Sequence, residues 1–207
     1  MEPGIKIIVL VSIFISLGMV SYVAFSNVVT KIYEQEEDYV MGPLTMAIIY
    51  GTLMITTFFV SLLRGYSEKW ILIIASLANV FICVSGFPSN GLPMWLVYGI
   101  KASLIALSGI GGAFLWTTIG FYIHKAAHLY GEVEDTGKYF GIFNAIANLS
   151  TPIGGLVVTL GLPEIGYSFF YLLPTLIAIL ALIFGIFFVK ELREPEPSLI
   201  INQEERR

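Results

Sequence analysis

The chain has 207 residues, of which 57% are hydrophobic and 13% charged, and its formal net charge is −4. An average soluble domain carries about 25% charged residues. Because so few charged side chains would cover little of a folded surface, the composition excludes an ordinary soluble domain and predicts an integral membrane protein in a lipid bilayer. The acidic balance also argues against a nucleic-acid partner.

The N-terminal segment predicts a first membrane span. Its apolar stretch, about residues 7–29, is longer than the ~7–15-residue core of a secretory signal peptide, and no small-x-small cleavage site follows. We therefore expect this segment to stay in the protein as a transmembrane helix.

The chain contains six stretches long enough to cross a bilayer, whose ~30 Å core needs roughly 20 helical residues. These stretches lie at about 5–30, 44–63, 70–87, 94–123, 139–161 and 168–189. The sequence thus predicts an all-α, six-helix transmembrane domain over 1–189. Residues 190–207 are charged and contain two prolines, which is typical of a flexible tail.

Lysine and arginine are distributed unevenly between the two sides of the predicted bundle. With the N-terminus in the cytoplasm, the opposite side holds only Lys31. The cytoplasmic side holds Lys6, Arg64, Lys69, Lys125, Lys138, Lys190, Arg193, Arg206 and Arg207. Since cytoplasmic loops retain positive charge, both termini are expected in the cytoplasm. The sequence leaves open whether the membrane is the plasma membrane or an endomembrane.

Three segments and one dipeptide carry a resemblance to a known family. They are MAIIYG (46–51), GIGGAFLWTTIGFYI (109–123), TGKYFGIFNAI (136–146) and Asn27-Val28. Together they resemble the "unc ninety-three"-like family, a branch of the major facilitator superfamily whose founding member is described as a regulator of potassium channels. Members have about twelve spans, so the resemblance covers the N-terminal half.

The resemblance implies a six-helix half of a major facilitator fold that escorts or regulates another membrane protein, or that belongs to a transporter. It implies no catalytic activity. The loop RGYSEKW (64–70) departs from the Gly-x-x-x-Asp-Arg pattern of many major facilitators because it lacks the aspartate. The gating role of that loop is therefore not expected here.

The fifth span carries a polar stripe. Its members follow at +3, +4, +3 and +4 and are Gly141, Asn144, Asn148, Thr151 and Gly155. That spacing places them on one helical face. Because an unsatisfied amide is expensive in lipid, the stripe predicts either a bridge to another helix or the wall of a solute path.

The same span contains a predicted hinge. Pro152 has no N–H to donate to the helix and should kink it near its middle, and Gly154 with Gly155 makes the break easier. The sequon Asn148-Leu149-Ser150 lies within this span, where glycosylation is not expected.

The glycines of the fourth span predict close helix packing. The G-x-G-x-x-G phosphate loop is excluded because Phe114 stands where its third glycine should be. In lipid, small residues let backbones approach, and Gly109, Gly112 and Ala113 lie at three- and four-residue spacing. A further gating role for this surface stays open.

Other polar and aromatic residues within the spans are candidates for a cavity. Lys101 lies about seven residues from the outer start of the fourth span and shares a face with Ser108 and Gly112. It either snorkels to the interface or holds an anionic group. Trp116 is a packing or interfacial anchor, or lines a cavity, and Asn27 could supply a polar group from the first span.

His124 and His128 lie four residues apart, where they either share a metal with help from Glu132 or simply end a helix. No nucleophile-base set, HExxH motif or intramembrane carboxylate pair is present. We therefore expect no enzyme activity, no bound metal and no cofactor.

The hypothesis from sequence is a half-length protein of major facilitator type. It would regulate or escort another membrane protein, or form half of a transport path with a second six-span body, supplied by a homodimer or another chain. The alternatives are an autonomous small-solute transporter or channel with Lys101, Asn144 and Asn148 as selectivity groups, and a truncated fragment of a twelve-span transporter.

Overall fold

A computed structural model describes residues 2–35, 39–63, 65–88, 91–130 and 136–192, and these ranges contain helices and connections but no β-strand. The helices are α1 (Pro3–Ser26), α2 (Val29–Gln35), α3 (Met41–Thr57), α4 (Glu68–Ala75), α5 (Leu77–Val84), α6 (Met94–Tyr130), α7 (Thr136–Ala147), α8 (Ser150–Ile165), α9 (Tyr167–Phe170) and α10 (Leu172–Phe188). A 3₁₀ turn, Val60–Leu63, follows α3. Glu132, Arg64 and the tail beyond Leu192 lie outside the described residues.

Four helical segments are long and apolar enough to cross a membrane: Pro3–Ser26, Met94–Tyr130, Thr136–Ile165 and Tyr167–Phe188. The third combines α7 with α8, and the fourth combines α9 with α10. The described residues therefore form an all-α fold with four segments of membrane-crossing length. The expected spans 44–63 and 70–87 are both interrupted, so neither forms a helix of that length.

Local hydrogen bonds account for the two interruptions. After α3, Phe59 N–H donates to the carbonyl of Thr56 at 2.8 Å, the i+3 pattern of a 3₁₀ turn. Between α4 and α5, the Ser76 hydroxyl donates to the carbonyl of Ile73 at 2.8 Å. Ser21 makes the same back-bond within the continuous helix α1. The feature particular to the break is the i+3 bond from Asn79 N–H to the Ser76 carbonyl, at 3.1 Å.

Two helix ends differ from those expected. The first helix ends at Ser26, short of 30, because Asn27 caps it and the chain turns before α2. Helix α6, which forms the predicted fourth span, extends to Tyr130, beyond 123, because Ala126 and Ala127 are buried in the core. Both alanines are strong helix formers, so this segment is packed helix instead of a loop.

Two helices organise the packing. Helix α1 packs against α7, α8 and α10, whereas α6 packs against α3, α4 and α5. The two groups also meet where α5 packs against α10.

The bundle has one end rich in lysine, which we call the basic end. At this end Lys125 pairs with Glu68 at 2.9 Å, and Lys138 lies 3.6 Å from the Glu2 carboxylate. At the opposite end, the Tyr33 hydroxyl of α2 donates to the carbonyl of Ser85 at 3.2 Å.

Candidate functional site

The polar stripe predicted for the fifth span lies on α7 and α8 and faces away from the bundle. Asn144, Asn148 and Thr151 are all exposed. Only 11% of the most apolar window of Thr136–Ile165 is buried, against 61% for α1. Of the four membrane-length segments, this one therefore has the least cover and carries two amides on its uncovered side.

The two glycines at the ends of the stripe lie in open space. A Cβ built on Gly141 or Gly155 meets no atom within 4 Å. We call the surface formed by Gly141, Asn144, Asn148, Thr151 and Gly155 the amide face. Its glycines are unexplained by packing within the described chain, so a second body could approach the backbone there.

The other side of α8 is fixed to α1. A Cβ on Gly154 would lie 2.8 Å from Val23 Cγ1 and 3.2 Å from the carbonyl of Val20. Gly154 is buried at this contact. The residue proposed as part of a hinge is thus also a packing glycine.

The helix is interrupted one turn before Pro152. The carbonyl of Asn148 has no i+4 donor, because Pro152 lacks an N–H, and it accepts from Thr151 N–H at 3.3 Å instead. Helix α7 ends at Ala147 and α8 begins at Ser150. Pro152 therefore lies in the first turn of α8, where proline is tolerated, and Asn148 lies in the junction itself.

The glycines of α6 differ in how closely they pack against another helix. Gly109 lies against α3, where an added Cβ would overlap Thr52 and lie 2.5 Å from the carbonyl of Ile49. For Gly112 the nearest atom is Leu53 Cδ1, at an ordinary 3.7 Å.

Gly111 also contacts another part of the bundle, which the predicted Gly109, Gly112 and Ala113 surface did not include. A Cβ on Gly111 would lie 2.8 Å from both the Ala75 carbonyl and the Ala78 Cβ. The α4–α5 junction therefore packs against Gly111, on a different side of α6 from Gly109. The sequence shows a third glycine in this run. Spacing alone does not indicate that α6 packs against α3 on one side and against the α4–α5 junction on another.

Lys101 is buried within the bundle and is 1% exposed. Its ammonium lies 4.7 Å from the ring centroid of Tyr33 and 5.4 Å from that of Phe87. Both are cation–π distances. This position is at the end opposite the basic end, and the ammonium does not reach an exposed interface.

The remaining candidates do not gather around Lys101. Ser108 is buried on α6, whereas Trp116 is 46% exposed. Asn27 lies exposed in the turn between α1 and α2. The three selectivity groups of the transporter alternative are also apart, since Lys101 is enclosed while Asn144 and Asn148 face outward.

His124 and His128 line a cavity of about 570 Å³ at the basic end, together with Glu68 and Lys125. Both imidazoles are exposed. Among the residues described by the structure, no group of three or more His, Cys, Asp or Glu side chains is placed to hold a metal. The Glu68–Lys125 pair joins α4 to α6 across 57 residues, a separation that sequence spacing could not reveal.

Over the residues that the structure describes, the fold is all-α, with four membrane-length apolar segments and an outward-facing amide stripe. Compared with known proteins, the chain matches no protein-family model and no curated protein. The family resemblance therefore still depends on the motifs quoted above.

Proposed function

We propose that this chain is a six-span membrane protein of major facilitator type that works by pairing with a second six-helix body through its amide face. The six spans would be α1, α3 with its 3₁₀ turn, α4–α5, α6, α7–α8 and α9–α10. The observation that carries the proposal is the exposure of Asn144 and Asn148 on the least buried membrane-length segment.

The arrangement of charge supports the six-span topology. Glu2 lies beside Lys138, and Glu68 pairs with Lys125. The first pair joins the start of α1 to the start of α7, and the second joins the start of α4 to the end of α6. A Cβ on Gly4 would lie 3.0 Å from Tyr130 Cβ, so the start of α1 also meets the end of α6. Six alternating crossings would produce that arrangement, and the positive-inside rule then assigns the basic end to the cytoplasm.

The pattern of helix contacts supports the facilitator half. Helix α1 packs against the fifth and sixth spans, and α6, the fourth span, packs against the second and third. Exchanging spans one to three with spans four to six leaves this pattern unchanged. Major facilitator halves contain such 3+3 inverted repeats.

The chemistry of the amide face favours a second copy of the chain as the partner. A two-fold interface places the same patch on both subunits. An asparagine amide is both donor and acceptor, so two such stripes can satisfy each other. Small residues such as Gly141 and Gly155 would allow close approach of the two backbones.

Pairing would give a single six-helix bundle the second bundle that transport requires. Alternating access requires one bundle to move against another around a midplane site. A paired chain would enclose a path between two amide faces. The same surface would let the chain escort or regulate a different membrane protein, with contact instead of catalysis as its mode of action.

Cysteine cross-linking in membranes tests the pairing. The chain has one cysteine, Cys83, which is buried, so Cys83→Ser provides a background without thiols. Adding Asn148→Cys should give a disulfide-linked species at twice the chain mass of 22.9 kDa. Pairing would bring position 148 of one copy close to position 148 of the other across the two-fold axis.

Leu176→Cys is the matched control for depth. Asn148 is twelve positions after Thr136 (148 − 136), and Leu176 is twelve positions before Phe188 (188 − 176). Leu176 is exposed on α10. Random collision in the membrane would therefore cross-link Leu176→Cys as efficiently as Asn148→Cys. Equal linking at the two positions would contradict the proposal, and a linked species of another mass would identify a different partner.

A further inference from the structure

Three lysines from three different elements meet in one pocket at the basic end. Lys6 comes from α1, Lys69 from α4, and Lys190 follows α10; the pocket has a volume of about 490 Å³. Among the lining residues that the structure describes, Glu191 is the one acidic side chain. The described lining therefore carries three lysines against one carboxylate, which is a net positive charge.

Two of the lysines are positioned by the bundle. Lys69 donates to the carbonyl of Ile186 at 3.1 Å, and Lys190 donates to the Tyr130 hydroxyl at 3.3 Å. An ammonium has three N–H donors, so each keeps donors for a ligand. Lys6 makes no side-chain hydrogen bond or ion pair within the described chain, which leaves its ammonium available.

The floor of the pocket is apolar and continues along two membrane-length helices. It is formed by Ile7, Leu10, Phe187 and Phe188. The two phenylalanines are largely exposed, Phe187 at 76%. A ligand that fits this pocket needs an anionic head and an apolar body next to it.

We propose that this pocket binds the phosphate headgroup of an anionic glycerophospholipid, with the acyl chains lying along α1 and α10. Basic pockets between helices on the cytoplasmic side recognise such headgroups, and the cytoplasmic leaflet supplies anionic lipid. The inference depends on insertion in a membrane, which it shares with the proposed function. It does not depend on pairing through the amide face.

Trp70 provides a local reporter for the test. It neighbours Lys69, whose ammonium lies 5.6 Å from the Trp70 ring centroid, and the chain has three tryptophans. The double change Trp95→Phe and Trp116→Phe leaves Trp70 as the only tryptophan. In phosphatidylcholine nanodiscs, brominated phosphatidylglycerol should quench its fluorescence more than the same fraction of brominated phosphatidylcholine.

Removing two of the ammonium groups tests the pocket directly. Lys6→Gln with Lys190→Gln should lower the preference for the anionic lipid about tenfold or more, given the usual contribution of each lysine near a membrane surface. The matched control is Lys31→Gln with Lys138→Gln, which removes two lysines outside the pocket. A loss of preference in the control equal to that in the pocket variant would overturn the proposal.

A phosphate competition arm separates a lipid from a soluble anion. Inorganic phosphate, compared with chloride at equal ionic strength, should leave the quenching by brominated phosphatidylglycerol unchanged. Relief of quenching by phosphate beyond that by chloride would assign the pocket to a free anion and overturn the lipid proposal. Cross-linking through Asn148→Cys should be unaffected by the pocket variant, so the two proposals can fail separately.

Discussion

At the scale of single residues, the same amino acid has different consequences at different positions of α6. Gly109 has no room for a Cβ beside Ile49 and Thr52, whereas Gly120 has no atom within 4 Å of a built Cβ. Helical spacing indicates that small residues recur along α6. It cannot indicate which of them touches another helix, because that depends on the position of α3.

Alanine at these two glycines should therefore act in opposite directions. Gly109→Ala is expected to destabilise the protein by roughly 1–3 kcal/mol, the usual cost of overpacking a tight site. Gly120→Ala should be neutral or stabilise it by up to about 1 kcal/mol, through helix propensity. Thermal unfolding in detergent measures both, and equal melting temperatures would refute the contact between α6 and α3.

Burial of Lys101 predicts slow modification of its amine. Lys101 is 1% exposed, while the side chain of Lys31 on the same side of the bundle is 63% exposed. Acetylation followed by mass spectrometry should modify Lys31 rapidly and leave Lys101 largely unmodified in folded protein. Comparable rates would mean that the Lys101 ammonium reaches the interface, as the snorkelling alternative from the sequence requires.

At the scale of elements, the sequence predicted where apolar segments lie better than it predicted their continuity. Pro152 indicated a break in the fifth span, and the chain does leave the helix at 148–149. The break at Ser76 had no comparable signal, because Ser12 and Ser21 make the same kind of back-bond within the continuous helix α1. The extension of α6 to Tyr130 depends on tertiary burial of Ala126 and Ala127, which local composition does not encode.

Restoring the missing amide at position 152 should close the junction between α7 and α8. Pro152→Ala supplies an N–H that can donate to the carbonyl of Asn148, so hydrogen exchange across 149–153 should slow. Pro163→Ala, in the last turn of α8, is the control and should leave that segment unchanged. Faster or equal exchange in Pro152→Ala would show that the proline is not what interrupts the helix.

At the scale of the whole molecule, the long apolar stretches predicted the all-α architecture, and periodicity placed Asn144 and Asn148 on one face. Neither could reveal whether that face lies inside the bundle or outside it, because a stripe of amides is equally compatible with both positions. The amide face points outward because α8 packs against α1 through Gly154, on its other side. Pairing with a second body is our interpretation of that direction.

The most direct test of this account is the mass of the chain in nanodiscs or mild detergent, measured for the wild type and for Asn144→Leu with Asn148→Leu. We expect a two-chain species for the wild type. The double variant should dissociate at least about tenfold more readily, since each interhelical hydrogen bond in a membrane contributes on the order of 1 kcal/mol. A wild-type monomer at all concentrations, or a double variant that pairs as tightly as the wild type, would contradict pairing through the amide face.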